Sequence, residues 1–412
     1  MTRVLAIVGV LAMSAVVAAT APYGADYAAD AGPAIRALLQ GDLGEFFAFQ
    51  PLMGSFSLLL RAPFAALAGA DASDPTLYRL GVFPCVAAAG LAALYAARER
   101  TLPIKAGLVY ACAASPVALA ALQWGHPEEL LGGALCAAAV VAALRERTAA
   151  AVVLLALAVA TKQWALIAAP VVFVALPKPA RLKATVGATA AALILTAPLA
   201  IGDPERFEGV LRMAANADSP RLLEMNVWWP LGETEHRVVT IGPGETATVA
   251  NYTLNATLAK ISHPLIVLLA LPLTALWRRR RAKLPPESLL ALLALLFLLR
   301  CLLDPVNNEY YHVPFLVALA SWEALARRGL PVLTVLATAA LWLVFRRVAT
   351  PDGDLLNWAA YMTATLPLAA VLAGCAYAPG TVSALGRRLR ISQPVPVTAT
   401  RSSIRTPNAP LT

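Results

Sequence analysis

The chain has 412 residues, of which 59% are hydrophobic and 14% charged, with a net charge of +9 and a mean hydropathy of +0.68. A soluble domain carries about a quarter charged residues, so a water-soluble globular fold is excluded. The positive charge is no nucleic-acid footprint either, because its densest run, Arg278 to Arg281 with Lys283, lies between two apolar stretches, where basic residues act as topology determinants.

Leu, Ala and Val dominate apolar runs that are short of, or close to, the roughly 20 residues a spanning helix needs, and no period-two alternation suggests a barrel. The pattern predicts an all-α polytopic membrane domain with about 12 transmembrane helices: 4–20, 77–97, 104–121, 129–144, 148–161, 163–177, 184–201, 262–277, 286–303, 311–326, 330–345 and 355–378. The first run has a basic start and small residues near its end, as a secretory signal does; in a chain with many later spans it is expected to stay as an uncleaved helix. The pair 148–161 and 163–177 is short for two crossings and reads equally as a bent hairpin.

A cytoplasmic N-terminus puts Arg98–Lys105, Arg145–Arg147, Lys178–Lys183, Arg278–Lys283, Arg327–Arg328 and the segment from Arg387 on the inside. That side then holds 21 of the 33 Lys and Arg but 4 of the 24 acids, as the Lys/Arg bias of cytoplasmic loops requires. Arg346-Arg347 is the one basic pair left outside. Two outer loops exceed simple connectors. In the first, about 21–76, a helix over Ala31–Gln40 is broken at Gly41-Asp42 and followed by an apolar stretch from Phe46 to Ala70. Arg61 within that stretch argues against a crossing, so it is predicted to be an amphipathic helix at the interface. The second, about 202–261, carries Trp228-Trp229-Pro230 and the turn Gly242-Pro243-Gly244 and is expected to form a small folded cap. One domain thus covers 1–390. The Pro-, Ser- and Thr-rich tail, 391–412, is expected to be disordered and cytoplasmic. The five cysteines lie in or beside apolar runs without metal or pairing spacing and read as packing residues.

Polar residues that could carry chemistry gather at the outer ends of spans. Asp26, in Tyr23-Gly24-Ala25-Asp26-Tyr27 with Asp30 one turn on, is either a solvated cap or a carboxylate placed to act as a general base. The turn Gln123-Trp124-Gly125-His126-Pro127-Glu128-Glu129 offers groups that suit a divalent metal or sugar hydroxyls, or acids that complement a helix N-terminus. Lys162 and Gln163 interrupt apolar segments; a charge at membrane depth is a functional candidate, here a phosphate counter-charge, unless it snorkels. Arg300 precedes Asp304, Asn307, Asn308, Glu309, Tyr310, Tyr311 and His312, combining a cation suited to phosphate with groups suited to sugars; an interfacial belt with an Arg300–Asp304 pair is the alternative. The sequons at Asn251 and Asn255 are weak signals. No phosphate-binding glycine loop, HExxH or paired Cys motif occurs.

With these residues in view the chain resembles GT-C membrane glycosyltransferases, and within them the GT87-like, polyprenol-phosphate-mannose-dependent mannosyltransferases. The resemblance rests on Asp26-Tyr27 after the first helix, Gly41-Asp42, Gln50-Pro51 leading to Arg61-Ala62-Pro63, the helix pair around Lys162, and Asn308-Glu309-Tyr310-Tyr311-His312, over most of residues 1–380. It implies a GT-C-like bundle and an inverting sugar transfer, mannose by likeness, from a polyprenyl-phosphate donor to a lipid or glycan acceptor at the outer face. Asp26 would accept the hydroxyl proton, with Lys162 or Arg300 meeting the leaving phosphate. Asp30, His126, Glu128, Glu129, Gln163, Asn308, Glu309, Tyr310 and His312 would bind substrate. That scheme requires no metal, although the His126 cluster would accept a divalent ion. The rival functions are a transporter or lipid flippase, which would favour internal repeats and broken mid-membrane helices, and a non-catalytic subunit of a cell-envelope complex.

Overall fold

A computed structural model describes residues 2–48, 54–214, 221–242, 245–327, 329–349 and 354–380. Gln50-Pro51, the apex of the Gly242-Pro243-Gly244 turn, Arg328 and the tail with its 391–412 segment lie outside the described residues.

Each of the twelve predicted segments is helical. The first is α1 (Thr2–Thr20). The loop after it folds into four short helices, α2 (Tyr27–Asp30), α3 (Gly32–Gln40), α4 (Leu43–Ala48) and α5 (Ser55–Ala65). Gly41 ends α3 with φ +73, the left-handed cap that glycine adopts at least cost. Helix α5 is amphipathic in an unexpected sense: Ser57 and Arg61 are buried while Leu59 is exposed. Its polar stripe faces protein, with Arg61 lying over the Tyr27 ring at 5.6 Å and against Gly81. The charge that argued against membrane depth is therefore held inside the protein.

Next come α6 (Asp74–Ala96), α7 (Leu102–Ala113), α8 (Pro116–Trp124) and α9 (Pro127–Leu144). The predicted span 104–121 is two helices, since Pro116 cannot continue the hydrogen-bond ladder and the Ser115 side chain caps α8 by accepting from Ala118 N at 3.3 Å. Helix α9 is apolar on every side and buried along almost its whole length, as expected of a helix at the centre of a bundle. It packs against α6, α10 (Thr148–Thr161) and α16 (Val313–Ala326). The predicted span 163–177 is a 3-10 turn at Gln163–Ala168 followed by the short α11 (Ala169–Ala175).

Helix α12 (Arg181–Gly202) leads into the second long loop, where α13 (Pro204–Ala214) precedes an antiparallel hairpin of β1 (Glu233–Gly242) and β2 (Glu245–Thr253). The expected cap is therefore a folded unit with strands, anchored by Trp228, whose indole donates to Leu303 O at 2.7 Å. Asn255, part of a sequon, instead caps α14 (Ala256–Arg280) by accepting from Thr257 N at 2.9 Å. The chain closes with α15 (Ser288–Leu303), α16, α17 (Val332–Leu343) with a π-helical turn at Val344–Val348, and α18 (Asp354–Tyr377).

Among the described residues six helical stretches are long and apolar enough to cross a membrane: Arg3–Thr20, Asp74–Ala96, Leu102–Trp124, Pro127–Leu144, Ala256–Lys283 and Leu355–Tyr377. Others, such as α10 and α15, are shorter apolar helices. Basic loops cluster at one end of the bundle, where Arg100 donates to Ala324 O and Leu325 O at 2.5 and 2.9 Å and Arg145 to Tyr95 O at 2.7 Å. The acid-rich turns lie at the other. All five cysteines are free and buried.

Candidate active site

The site forms where α9 begins. Two backbone hydrogen bonds, Ala25 N to Gln123 O at 3.1 Å and Asp26 N to Trp124 O at 3.0 Å, lay the loop after α1 across the last turn of α8. Glycine makes this possible on both sides. Gly125 ends α8 with φ +97, and a Cβ there would meet Tyr27 N at 3.0 Å, while a Cβ on Gly24 would meet Gly125 Cα at 2.4 Å. A close backbone crossing of this kind excludes side chains.

From that crossing a line of ionisable groups runs into the protein. Asp26 Oδ2 is 3.1 Å from His126 Nε2, and His126 Nδ1 is 2.8 Å from Glu128 Oε1. Lys162 Nζ donates to the same Glu128 oxygen at 2.9 Å and lies 3.8 Å from Glu129 Oε1. Arg300 then holds Glu129 with both terminal nitrogens, at 3.1 and 3.4 Å. The indole of Trp164 donates to Glu129 at 3.1 Å. The Arg300 guanidinium lies between two rings, 4.7 Å from Trp164 and 4.5 Å from Tyr311. The Glu128 and Glu129 side chains are 0% exposed. Carboxylates survive such burial only when cations and hydrogen bonds answer them, and the positive N-terminal end of α9 adds to that support. Lys162 reaches them because the chain leaves α10 there in an extended conformation, φ −158 and ψ 136.

Exposure changes along the line. The Asp26 side chain is 45% exposed, against 7% for His126, 12% for Lys162 and 5% for Arg300. Burial disfavours the charged imidazole of His126, but the Glu128 carboxylate outweighs that penalty, and the His126 pKa is raised. Asp30 faces the same charges: burial pushes its carboxyl up, opposed by His126 and Lys162.

Asp26, His126, Glu128, Glu129, Lys162 and Arg300 are thus brought into one site, with Asp30 beside it and Tyr310 stacked on the His126 ring at 4.4 Å. The remaining candidates lie differently. Gln163 is exposed, and Asn308 donates to Val306 O at 3.2 Å within its own turn. Glu309 pairs with Arg346 at 2.6 Å; burial raises its pKa against the pull of that arginine. His312 is buried, its Nδ1 donating to Glu309 O at 3.0 Å and its Nε2 2.9 Å from the Tyr361 hydroxyl, so it braces the turn rather than reaching Asp26. The alternative Arg300–Asp304 pair does not form; Asp304 lies 3.7 Å from His263. Trp164 and Arg346 were not among the candidates. Trp164 follows the Lys162-Gln163 break directly, the only signal the sequence offered for it.

Among the described residues no group of three or more His, Cys, Asp or Glu is arranged to hold a metal ion. Both His126 nitrogens already face carboxylates. Residues of α10, α11, α12 and α14, with Leu166 of the turn between α10 and α11, line an apolar cavity of about 590 Å³ that includes Val159, Phe173, Ala188 and Val267. Val159 and Leu166 lie on either side of Lys162 in sequence, while no member of the ion line is itself part of the lining.

No protein-family model matches the chain, and no curated protein does. Among solved structures it is similar to the crystal structure of ArnT from Cupriavidus metallidurans bound to undecaprenyl phosphate. The match covers 95% of this chain and 81% of that one, with a TM-score of 0.50 and 14% sequence identity. The fold is therefore that of a multi-pass helical membrane protein similar to ArnT.

Proposed function

We propose that this chain is an inverting glycosyltransferase that moves a sugar from a polyprenyl-phosphate donor to a lipid or glycan acceptor at the outer face of the membrane. The observation that carries this reading is the ion line: a half-exposed Asp26 backed by His126, Glu128 and Lys162. The undecaprenyl phosphate bound by ArnT, a protein of similar fold, supports a lipid-phosphate donor. Mannose follows from the GT87-like resemblance. The basic loops at the opposite end of the bundle support an outer-face site.

In this scheme the acceptor hydroxyl oxygen attacks the anomeric carbon while its proton passes to an Asp26 oxygen. The bond from that carbon to the phosphate oxygen breaks, and the lipid phosphate leaves with the electron pair. Inversion follows from attack opposite the leaving group. His126 holds Asp26 in place from behind. Of the two cations, Lys162 is assigned to the phosphate. It is held by Glu128 at 2.9 Å but keeps 12% of its side chain exposed, so reaching a phosphate means loosening that one pair, whereas Arg300 is clamped on Glu129 between two rings. Arg300 is better suited to holding the buried Glu129 side chain in place.

Purified protein incubated with polyprenyl-phosphate mannose, arabinose or glucose and a lipid acceptor extract tests the reading. Asp26→Asn is expected to lower transfer by about 10²- to 10⁴-fold, the usual worth of a positioned general base. Full activity in that variant removes Asp26 as the base. No transfer from any donor, with lipid movement across proteoliposomes instead, favours the flippase.

A further inference from the structure

The basic pair Arg346-Arg347 has no part in the reaction above, yet it lines a cavity of its own. This cavity, about 470 Å³, lies between α1, α8 and the π-helical turn after α17. Eight of its twelve lining residues are apolar, among them Val17, Leu119 and Trp342, and none is acidic. Its polar groups are Thr20, Gln123, Arg346 and Arg347.

The two arginines differ in how their charge is met. Arg346 is held from behind by Glu309 at 2.6 Å and donates to Gln123 Oε1 at 3.1 Å. Arg347 is exposed and lies over the Trp342 ring at 5.1 Å, and it makes no ion pair with an acid among the described residues. A π-helical turn is uncommon and recurs at functional positions. Leu119, which lines the cavity, is an exposed large hydrophobic, as are Val16 and Leu343, the sequence neighbours of the lining residues Val17 and Trp342. A basic rim over an apolar wall suits a ligand with an anionic head and a hydrocarbon tail, since arginine matches phosphate oxygens in charge and geometry and an aromatic ring is at home at the headgroup level.

We propose that this cavity binds the phosphate headgroup of an anionic lipid, with Arg347 as its principal contact and an acyl chain along Val17 and Leu119. The site shares the end of α8 with Asp26, through Gln123 and Trp124, but stands whether or not the transfer reading does. Native mass spectrometry of the detergent-purified full chain tests it, with phosphatidylglycerol, phosphatidylcholine or inorganic phosphate added separately. Phosphatidylglycerol adducts are expected to exceed phosphatidylcholine adducts at least about fivefold, and Arg347→Gln is expected to abolish that preference while Arg347→Lys keeps part of it. Equal retention of the two lipids, or a preference unchanged in both Arg347→Gln and Arg346→Gln, overturns the proposal. Displacement of the lipid by millimolar inorganic phosphate also overturns it, because the site would then be one for a free anion. None of these outcomes depends on sugar transfer.

Discussion

Asp26 and Arg300 stand at opposite ends of one line of ionisable side chains, and their surroundings differ in kind. At the Arg300 end every charge is answered: a bidentate carboxylate and two aromatic faces enclose the guanidinium, and the Trp164 indole donates to that same carboxylate. At the Asp26 end one carboxylate oxygen meets an imidazole, and nearly half the side chain is open. A group sealed by its partners can hold others in place but cannot meet a substrate without breaking them. An open acid with a fixed neighbour can exchange a proton. The contrast assigns scaffold to one end and chemistry to the other.

The largest effect expected from breaking that contrast lies at the sealed end. Arg300→Met leaves the fully buried Glu129 with Lys162 at 3.8 Å as its nearest remaining cation. Uncovering a buried charge costs about 3–5 kcal/mol, so the variant should lose most of its folded fraction in detergent, read by thermal unfolding. Asp26→Asn should change the same melting curve little, since partly exposed ion pairs contribute about 1 kcal/mol or less. If Asp26→Asn unfolds the protein and Arg300→Met does not, the two ends have been assigned the wrong way round.

A smaller effect should appear at Gly125, which sets where Asp26 lies. Alanine there must adopt φ +97 with its Cβ 3.0 Å from Tyr27 N, a strain of about 1–3 kcal/mol. The neighbour that must move is the residue after Asp26, and a misplacement of about 1 Å can cost about 10²-fold in rate. Gly41→Ala is the matched control, because Gly41 also has positive φ, +73, with nothing within 4 Å of a Cβ. Both variants should lose stability, but only Gly125→Ala should lose kcat. Equal loss of kcat in both would mean that the crossing of the two backbones does not position the acid.

How much of this was legible beforehand depends on the kind of signal. The helical segments were, because hydrophobic length and loop charge are local properties. Gln163 and His312 carried the same local signal yet lie apart from the ion line, whereas Asp26, His126, Lys162 and Arg300, polar groups among apolar neighbours, were legible as candidates. Their pairing was not. Glu129 meets Arg300 across 171 positions, and α9, apolar all round, has no polar stripe to say which face turns toward α15. Arg61 was legible in part: as its charge suggested, the segment does not form one of the long apolar helices, but the face it occupies was not legible, since α5 turns it inward against Tyr27 and Gly81. His312 looked equivalent to His126 by composition. Only tertiary contact separates an imidazole braced on Tyr361 from one that touches Asp26.

The smallest expected effect is the one that best resolves the role of His126. Its ring faces Asp26, Glu128 and the Tyr310 ring, with Lys162 beyond Glu128 and Asp30 close by. Burial lowers its pKa and Glu128 raises it by more, leaving the folded value above the unfolded one, near 6.5. A raised histidine contributes stability that is complete below the unfolded pKa and is lost as pH rises through the folded value. Melting temperature should therefore decline above about pH 6.5, and His126→Gln, which keeps a hydrogen-bonding side chain but does not titrate, should flatten that decline. Transfer should behave alike: once His126 is neutral the line carries one more net negative charge, which opposes an incoming lipid phosphate. The alkaline limb of kcat/KM should be present in the native chain and weakened in His126→Gln, with the limb shifted rather than the maximum lost. An identical limb in both proteins would mean that another group sets it and that His126 serves Asp26 by position alone.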